Sequence, residues 1–215
     1  MNKPSRSIEW IVWGGLVLII LAIFGAYVAS GIRAQPQPQP PLPVLTRVID
    51  FALTNQLGRV ATLADFRGQV WVADIIFTRC PGPCPAMTRE MKELQAALPP
   101  NEPVKLVSLT ADPEFDTPNV LKKYGEKYGA RAERWQFLTG KKLDVYHLAT
   151  KGLLLAVDEV KADDRTSPDD LFLHSTRFVV VDKQGRVRAS FDGTEQASRG
   201  RLLEAIQALL KEPPP

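Results

Sequence analysis

A nearly continuous apolar run that leads straight into both cysteines of the chain constrains the fold most strongly. The run covers residues 69–77 and has the length of a strand, as is typical of strands that are buried on both faces of a sheet. Three residues separate Cys80 from Cys84, and Pro85 follows where it suits the first position of a helix. The sequence therefore predicts a buried strand, a cysteine loop and a helix in direct succession.

Strands and helices alternate through the rest of the chain from about residue 45 to residue 211. Residues 51–54 and 59–62 flank a short turn and predict an N-terminal hairpin. We therefore predict a thioredoxin-like α/β domain that begins with this hairpin. The further predicted elements are strands at 69–77, 104–110, 135–138, 176–182 and 186–191, and helices after Pro85, at 118–128, at 141–150 and around Leu202–Leu210.

An apolar segment near the N-terminus predicts a membrane anchor. No charged residue occurs within residues 10–32, which is long enough to cross a bilayer as one helix. A cleaved signal peptide is the alternative, but the apolar core of such a peptide is usually about 7–15 residues long. Lys3 and Arg6 precede the segment and Arg33 alone follows it, which favours a cytoplasmic N-terminus at residues 1–9.

The segment that follows the predicted anchor is rich in proline and glutamine. Prolines alternate with glutamines within residues 33–44, and this composition predicts a semi-rigid polyproline II linker on the order of 30 Å long. Residues 212–215 form a second, short proline-rich tail. The linker is expected to hold the folded domain away from the membrane.

Charge and compartment narrow the possible partners. The net charge is +3 and no long basic run stands out, so nucleic acid is not indicated as a partner. Few residues precede the apolar segment, which leaves no room for an organelle transit peptide and favours the bacterial inner membrane, with the domain in the periplasm. Two cysteines in an exported domain usually form a disulfide, but their close spacing also allows redox exchange or metal binding.

The cysteine loop has the features of a reactive thiol site. A helix N-terminus favours the thiolate over the thiol. Cys80, Gly82 and Cys84 each precede a proline and are biased toward extended backbone, so the segment should be a loop in which only Gly82 is free to take unusual dihedral angles. Because its prolines lack N–H groups, we expect the site to depend on a cation or a metal more than a common Cys-x-x-Cys loop does.

A third metal ligand is expected from one of two histidines. Two thiolates suit Cu(I), zinc or an iron–sulfur assembly, and with one imidazole they would suit Cu(I). His174 precedes the strand whose start should face the cysteines, whereas His147 lies in a predicted helix and is interpreted as structural. Met87 and Met91 have helical spacing and are interpreted as core residues rather than thioether ligands.

Three blocks of sequence resemble the Sco/SenC family of membrane-anchored copper-binding proteins. The first is the Cys-Pro-x-x-Cys-Pro pattern at residues 80–85, preceded by Phe and Thr. The second is the Asp-Pro-x-x-Asp-Thr-Pro pattern at residues 112–118, and the third is His174-Ser175 followed by an apolar strand and Asp182-x-x-Gly185. The resemblance extends from about residue 45 to residue 210.

This resemblance implies that Cys80, Cys84 and His174 bind copper. It further implies a metallochaperone that serves the CuA site of cytochrome c oxidase subunit II or another periplasmic copper acceptor. A thiol:disulfide oxidoreductase that acts on the acceptor's cysteines is the alternative, and the chain would be an enzyme only in that case.

Two details of the family pattern need separate interpretation. Gly82 and Pro83 stand where members of the family commonly carry an aspartate and a branched aliphatic residue, so copper affinity and redox potential can differ in this chain. Asp112, Asp116 and Thr117 are interpreted as turn-forming and helix-capping residues, with docking of the partner as the alternative.

Overall fold

The computed structural model describes residues 6–33, 40–165 and 171–213. The chain divides into two compact units, residues 1–41 and 42–215. In the first unit, helix α1 spans Arg6–Arg33. Its segment Trp10–Tyr27 is long and apolar enough to cross a membrane. Residues 34–39 of the predicted linker and the last two residues of the predicted tail lie outside the described residues.

The second unit is built on one large mixed sheet. Among its described residues, eight strands form this sheet in the order β1-β10-β9-β4-β5-β6-β2-β3, and two more form a separate ribbon, β7-β8. The strands are β1 Thr46–Arg47, β2 Ala52–Asn55, β3 Val60–Thr62, β4 Val70–Ile76, β5 Val104–Thr110, β6 Trp135–Thr139, β7 Val157–Glu159, β8 Phe172–His174, β9 Arg177–Val181 and β10 Arg186–Asp192.

The helices of this unit connect the strands. Helix α4 continues directly into a π-helical turn at Leu148–Gly152, so the helix predicted at 141–150 is interrupted before it ends at the predicted glycine. Two short 3₁₀ segments occur at Leu63–Phe66 and Ala162–Asp164. The α-helices are α2 Cys84–Ala97, α3 Pro118–Tyr128, α4 Lys142–His147 and α5 Ser198–Lys211.

The centre of the sheet follows the sequence prediction closely. Strands β4, β5 and β6 are parallel, and β9 is antiparallel to β4. All seven residues of β4 are buried, because a central strand with helices packed on the sheet has no face toward water. The predicted N-terminal hairpin is present as β2 and β3. These elements confirm the predicted thioredoxin-like α/β fold.

The start of α3 shows how a local sequence signal fixes an element. Thr117 is the N-cap, and its side chain accepts a hydrogen bond from Val120 N. Pro118 takes the first helical position, where its missing N–H costs nothing. At the other end, Gly129 adopts a left-handed conformation with φ of 72°, which glycine does without a steric penalty. The predicted bounds of this helix are confirmed.

Candidate metal centre

The cysteine loop connects the carboxyl end of β4 to α2. Cys80 N donates to Phe77 O at 3.2 Å and closes a tight turn after the strand. Cys84 is the first residue of α2 and is fully buried, whereas Cys80 is partly exposed. Neither cysteine forms a disulfide. The loop therefore presents one thiol toward the surface and holds the other inside the domain.

Two predictions about this loop are wrong in detail. Cys84 was expected to be extended and Pro85 to open the helix, but the helix opens at Cys84 and Pro85 is its second residue. The helical conformation of Cys84 is supported by Thr88, whose hydroxyl donates to Cys84 O at 2.8 Å. Gly82 does not use positive φ, since the flanking prolines and the turn at Cys80 already bring the cysteines together.

His174 completes a cluster with the two cysteines. It is the last residue of β8, and its Nε2 lies 3.2 Å from Cys84 Sγ. Its Nδ1 lies 3.1 Å from Ser175 O, so Nδ1–H donates to that carbonyl and Nε2 keeps its lone pair toward the sulfur. One ligand atom from each of Cys80, Cys84 and His174 lies within 4.8 Å of the others. The geometry suits one metal ion.

Aromatic contacts hold the imidazole in place. The Phe77 ring meets the His174 ring edge-on at a centroid distance of 5.7 Å, and it contacts Phe172 in the same way at 5.1 Å. Phe77 N also lies 3.4 Å from Cys84 Sγ and donates to it. One residue at the end of β4 therefore contacts both the cysteine side and the histidine side of the cluster.

The two sulfurs differ strongly in acidity. A hydrogen bond from the Cys84 thiol lowers the pKa of Cys80, although partial burial opposes this, and hydrogen bonds from the backbone of Cys84 and Gly82 add to the lowering. The same hydrogen bond and burial raise the pKa of Cys84. Without metal, Cys80 is therefore the thiolate and Cys84 the thiol. The neighbouring thiol and two backbone N–H groups stabilise the charge of Cys80, but the pKa of Cys84 is raised, so the dependence of the whole site on a cation or a metal stays a prediction.

A buried carboxyl lies on the strand that leads to the loop. Asp74 is fully buried, and within the described residues neither carboxyl oxygen has a hydrogen-bond partner. Burial raises the pKa of Asp74 to about 7, while Ser108 and His174 oppose the rise. Its negative charge in turn helps to raise the pKa of Cys84. The signal for this residue was present in the sequence as a single aspartate within the apolar run.

The aspartates of the second sequence block contact the cysteine loop. Asp112 Oδ2 accepts from Arg79 Nη2 at 2.5 Å, and the guanidinium lies 4.0 Å from the Phe115 ring centroid. Asp116 accepts from the backbone and the hydroxyl of Thr78. Asp112 also forms the expected turn by accepting from Phe115 N at 3.4 Å. The capping role predicted for Thr117 is present, but Asp116 contacts the loop instead of capping the helix, which no local sequence signal indicated.

The remaining candidate residues lie apart from the cluster. Met87 and Met91 are fully buried in the hydrophobic core, as predicted. His147 ends α4 and is not part of the cluster. Next to the cluster, a cavity of about 150 Å³ is lined by both basic and acidic side chains, among them Arg79, Asp112 and Lys142.

Comparison with known proteins identifies the family. The SCO1/SenC family model matches residues 43–211. The SCO1 protein homolog of Bacillus subtilis is 31% identical over 168 residues, which cover 77% of this chain and 84% of the relative. An SCO2-like protein of Rickettsia felis is 24% identical over 200 residues, which cover 89% of this chain and 92% of the relative.

Solved structures agree with this result. A SCO1/SenC family lipoprotein from Bacillus anthracis superimposes with a TM-score of 0.69 at 27% identity, and covers 80% of this chain and all of its own. BsSco, a Sco family cytochrome c oxidase assembly protein studied for a disulfide switch, gives a TM-score of 0.69 at 29% identity over 81% of this chain and all of its own. The chain therefore belongs to the SCO1/SenC family.

Proposed function

We propose that this protein is a copper metallochaperone that binds one copper ion through Cys80, Cys84 and His174. The observation that carries the proposal is the approach of the three ligand atoms to within 4.8 Å of one another. Two soft thiolates and one imidazole are a donor set that suits copper. The hydrogen bond of His174 Nδ1 to a backbone carbonyl supports the proposal because it leaves Nε2 as the free ligand atom.

The exposure of the two sulfurs favours release of copper to a docked acceptor. Cys80 is partly exposed and Cys84 is buried. An incoming thiolate of the acceptor would therefore replace Cys80 first, while Cys84 and His174 still hold the ion. This exchange needs no change in oxidation state. The proposed acceptor is cytochrome c oxidase subunit II or another periplasmic copper protein, since relatives in this family are described as cytochrome c oxidase assembly proteins.

A Cu(I) competition titration of the full chain in detergent tests the proposal. We expect a one-to-one complex, which Cys80→Ala and His174→Ala each weaken by roughly a hundredfold, because each variant removes one ligand of the site. His147→Ala is the matched control and should leave the affinity unchanged. An affinity that neither ligand variant weakens would disprove the proposed site.

A thiol:disulfide oxidoreductase is the second candidate, and the difference between the two sulfurs favours it. Cys80 is partly exposed and has a lowered pKa, as an attacking thiolate requires. It would attack an acceptor disulfide, release one acceptor thiolate and form a mixed disulfide. Cys84 would then attack Cys80 and release the second acceptor thiol, so the acceptor is reduced and Cys80–Cys84 is oxidised. If His174→Ala keeps cellular activity and both cysteine variants abolish it, this candidate replaces the first.

We further propose where the protein acts. The apolar segment Trp10–Tyr27 would anchor it in the bacterial inner membrane. Lys3 and Arg6 before the span favour a cytoplasmic N-terminus, and the copper-binding domain, residues 45–211, would then lie in the periplasm. Protease digestion of spheroplasts, with detection of both chain ends, tests this orientation; protection of the domain would contradict it.

A further inference from the structure

Asp116 is a buried carboxylate that makes all of its described contacts beside the cysteine loop. Its side chain is fully buried. Its Oδ2 accepts from Thr78 N at 3.1 Å and from the Thr110 hydroxyl at 2.6 Å, and its Oδ1 accepts from the Thr78 hydroxyl. It is not one of the clustered ligand residues. Both carboxylate oxygens are therefore satisfied, and two of the three donors belong to the residue that enters the cysteine loop.

The two ends of the loop are held in different ways. Cys84 belongs to a helix, and its sulfur accepts from Phe77 N at 3.4 Å. Cys80 has a backbone hydrogen bond to Phe77 O at 3.2 Å, and the residue after it, Pro81, has no N–H group to offer. Arg79, directly before Cys80, pairs with Asp112 through a side chain that is 45% exposed, whereas the backbone of Thr78 is bound to a buried group. The position of Cys80 therefore depends in part on how firmly Thr78 is fixed.

We propose that Asp116 is a positioning residue for Cys80. By holding Thr78, it sets the distance from the Cys80 sulfur to Cys84 and His174. This inference rests on the copper site proposed above, but its physical content is the spacing of the two sulfurs, which exists with or without copper. All three hydrogen bonds are buried, and leaving buried donors without a partner is costly, so this contact suits a role in fixing the entry to the loop.

The hydrogen-bond pattern predicts which substitutions preserve the role. An asparagine at position 116 can direct its oxygen to Thr78 N–H and the Thr110 hydroxyl, and its NH₂ group to the Thr78 hydroxyl, which can also accept. An alanine satisfies none of these groups. If Asp116 acts by hydrogen bonding, Asp116→Asn keeps the function and Asp116→Ala loses it. If its charge were what matters, both variants would fail alike.

A control variant separates positioning from general stability. Asp182 is also buried and accepts from the backbone of a turn, at Gln184 N and Arg186 N. It follows Val181, which pairs with Trp71 at the start of β4, whereas the cysteine loop follows the end of β4. Asp182→Ala therefore removes a buried carboxylate, ion-paired with Arg186 and Arg188, that lies beside the opposite end of β4 from the cysteine loop.

The first measurement is the Cu(I) affinity of the full-length protein in detergent, with urea unfolding in parallel. Asp116→Ala should lower the affinity by about 10–100-fold, as is usual when a residue that orients a metal ligand is lost. The Cu(I) affinity of Asp116→Asn should stay within about threefold of the wild type, because asparagine can form the same three hydrogen bonds. Asp182→Ala should lose stability without losing affinity. If Asp116→Ala binds copper as tightly as the wild type, the proposal is overturned.

The second measurement needs no copper. The equilibrium constant for disulfide formation between Cys80 and Cys84 by exchange with oxidised glutathione reports how well the two sulfurs are held together. Asp116→Ala should shift this equilibrium by about tenfold, and Asp116→Asn and Asp182→Ala should not. Suppose that the wild type does not bind copper, but that the glutathione equilibrium still shifts in Asp116→Ala and not in the other two variants. This result would contradict the proposed function but support the positioning role. Equal shifts in Asp116→Ala and Asp182→Ala would overturn the positioning role.

Thr78→Val provides the same test if Asp116→Ala does not fold. This variant removes the hydroxyl but keeps the backbone N–H that donates to Asp116. We expect a fall in Cu(I) affinity of about fivefold, because a single hydrogen bond is worth about 1 kcal/mol. Thr78→Ser keeps the hydroxyl and should bind Cu(I) as tightly as the wild type. The proposal would be contradicted by an unchanged Cu(I) affinity in Thr78→Val, or by a Cu(I) affinity in Thr78→Ser that is as low as in Thr78→Val.

Discussion

The cysteine side and the histidine side of the metal centre are built on supports of very different strength. The cysteines follow β4, whose seven residues are all buried inside the main sheet, and continue into a helix of 14 residues. His174 ends a ribbon of two three-residue strands which, among the described residues, pair with each other and with no strand of the main sheet. A metal ion bound between them would couple a rigid support to a less stable one, which is a property suited to uptake and release.

Apolar contacts, chiefly aromatic ones, attach the ribbon to the rest of the domain. Phe172 packs against Phe77 at a centroid distance of 5.1 Å. The ribbon also forms ion pairs of Glu159 with Lys142 and with Arg165, and all three side chains are about a third to a half exposed. Exposed pairs of this kind contribute little to stability. The comparison therefore predicts large effects from buried groups near the cysteines and smaller, local effects on the ribbon.

The largest expected effect concerns Asp74 on the cysteine side. Because burial raises its pKa to about 7 from an ordinary value of 3.8, the unfolded chain ionises as the pH rises above 4 while the folded chain stays protonated. The free energy of unfolding should therefore fall between pH 4 and pH 7, by an amount on the order of 3 kcal/mol. In Asp74→Asn this fall should disappear. Urea unfolding of the metal-free, reduced protein across this range measures the difference.

Asp182 provides a control of opposite sign. Burial opposes ionisation there as well, but hydrogen bonds from Arg188 and Arg186 lower the pKa of Asp182 overall. Its contribution to stability is therefore present above the ordinary carboxyl pKa and is lost as the pH falls toward the folded-state value. The wild type and Asp182→Asn should become more alike in acid, whereas the wild type and Asp74→Asn should differ most near pH 7. A parallel pH profile for wild type and Asp74→Asn would show that Asp74 is not protonated in the fold.

The next effect should be confined to the histidine side. Phe172→Ala removes the ring that holds the ribbon against Phe77, at a cost of about 1–2 kcal/mol, since Phe172 is only partly buried. We expect faster hydrogen exchange at residues 157–159 and 172–174, with little change in β4. The Cu(I) affinity should fall by about tenfold because His174 must be ordered again on binding.

Leu173→Ala is the matched control for this variant. Leu173 lies in the same strand but is 70% exposed, so its loss should leave exchange and affinity unchanged. If Phe172→Ala accelerates exchange in β4 as much as in the ribbon, the two sides of the centre unfold together and the comparison fails.

The sequence predicted the strand, loop and helix of the cysteine side and the histidine that lies beside them, but not the start of the helix at Cys84 or the residues that support the two sides. A nearly continuous apolar run predicted β4, which is buried along its whole length, and β5 was predicted as the next strand. The ribbon was not predicted, since strands of three residues are too short to show an alternation of apolar and polar residues. The contact between Asp116 and Thr78 joins residues 38 positions apart, and their pairing depends on the neighbouring ends of β4 and β5. Asp74 was visible as an aspartate in an apolar run, but only the structure shows that its carboxyl group is fully buried, with no close hydrogen-bond partner among the described residues.

The smallest expected effect concerns a substitution at Gly82, at the exposed end of the cysteine side. A side chain at Gly82 would start 3.9 Å from Cys80 Sγ, an ordinary contact distance, and the backbone there does not require glycine. Gly82→Asp should therefore fold normally and place a negative charge near Cys80. By repulsion it should raise the pKa of Cys80 by less than about 1 unit, because the site is open to solvent.

The rate of Cys80 alkylation as a function of pH, at low and high salt, measures this shift. Gly82→Asn is the neutral control of the same shape, and its titration should follow the wild type. Salt should reduce the shift in Gly82→Asp, because it screens charges that are exposed to solvent. A shift of equal size in Gly82→Asn would mean that the side chain disturbs the loop sterically, and that the acidity of Cys80 depends on loop geometry rather than on the charge between the cysteines.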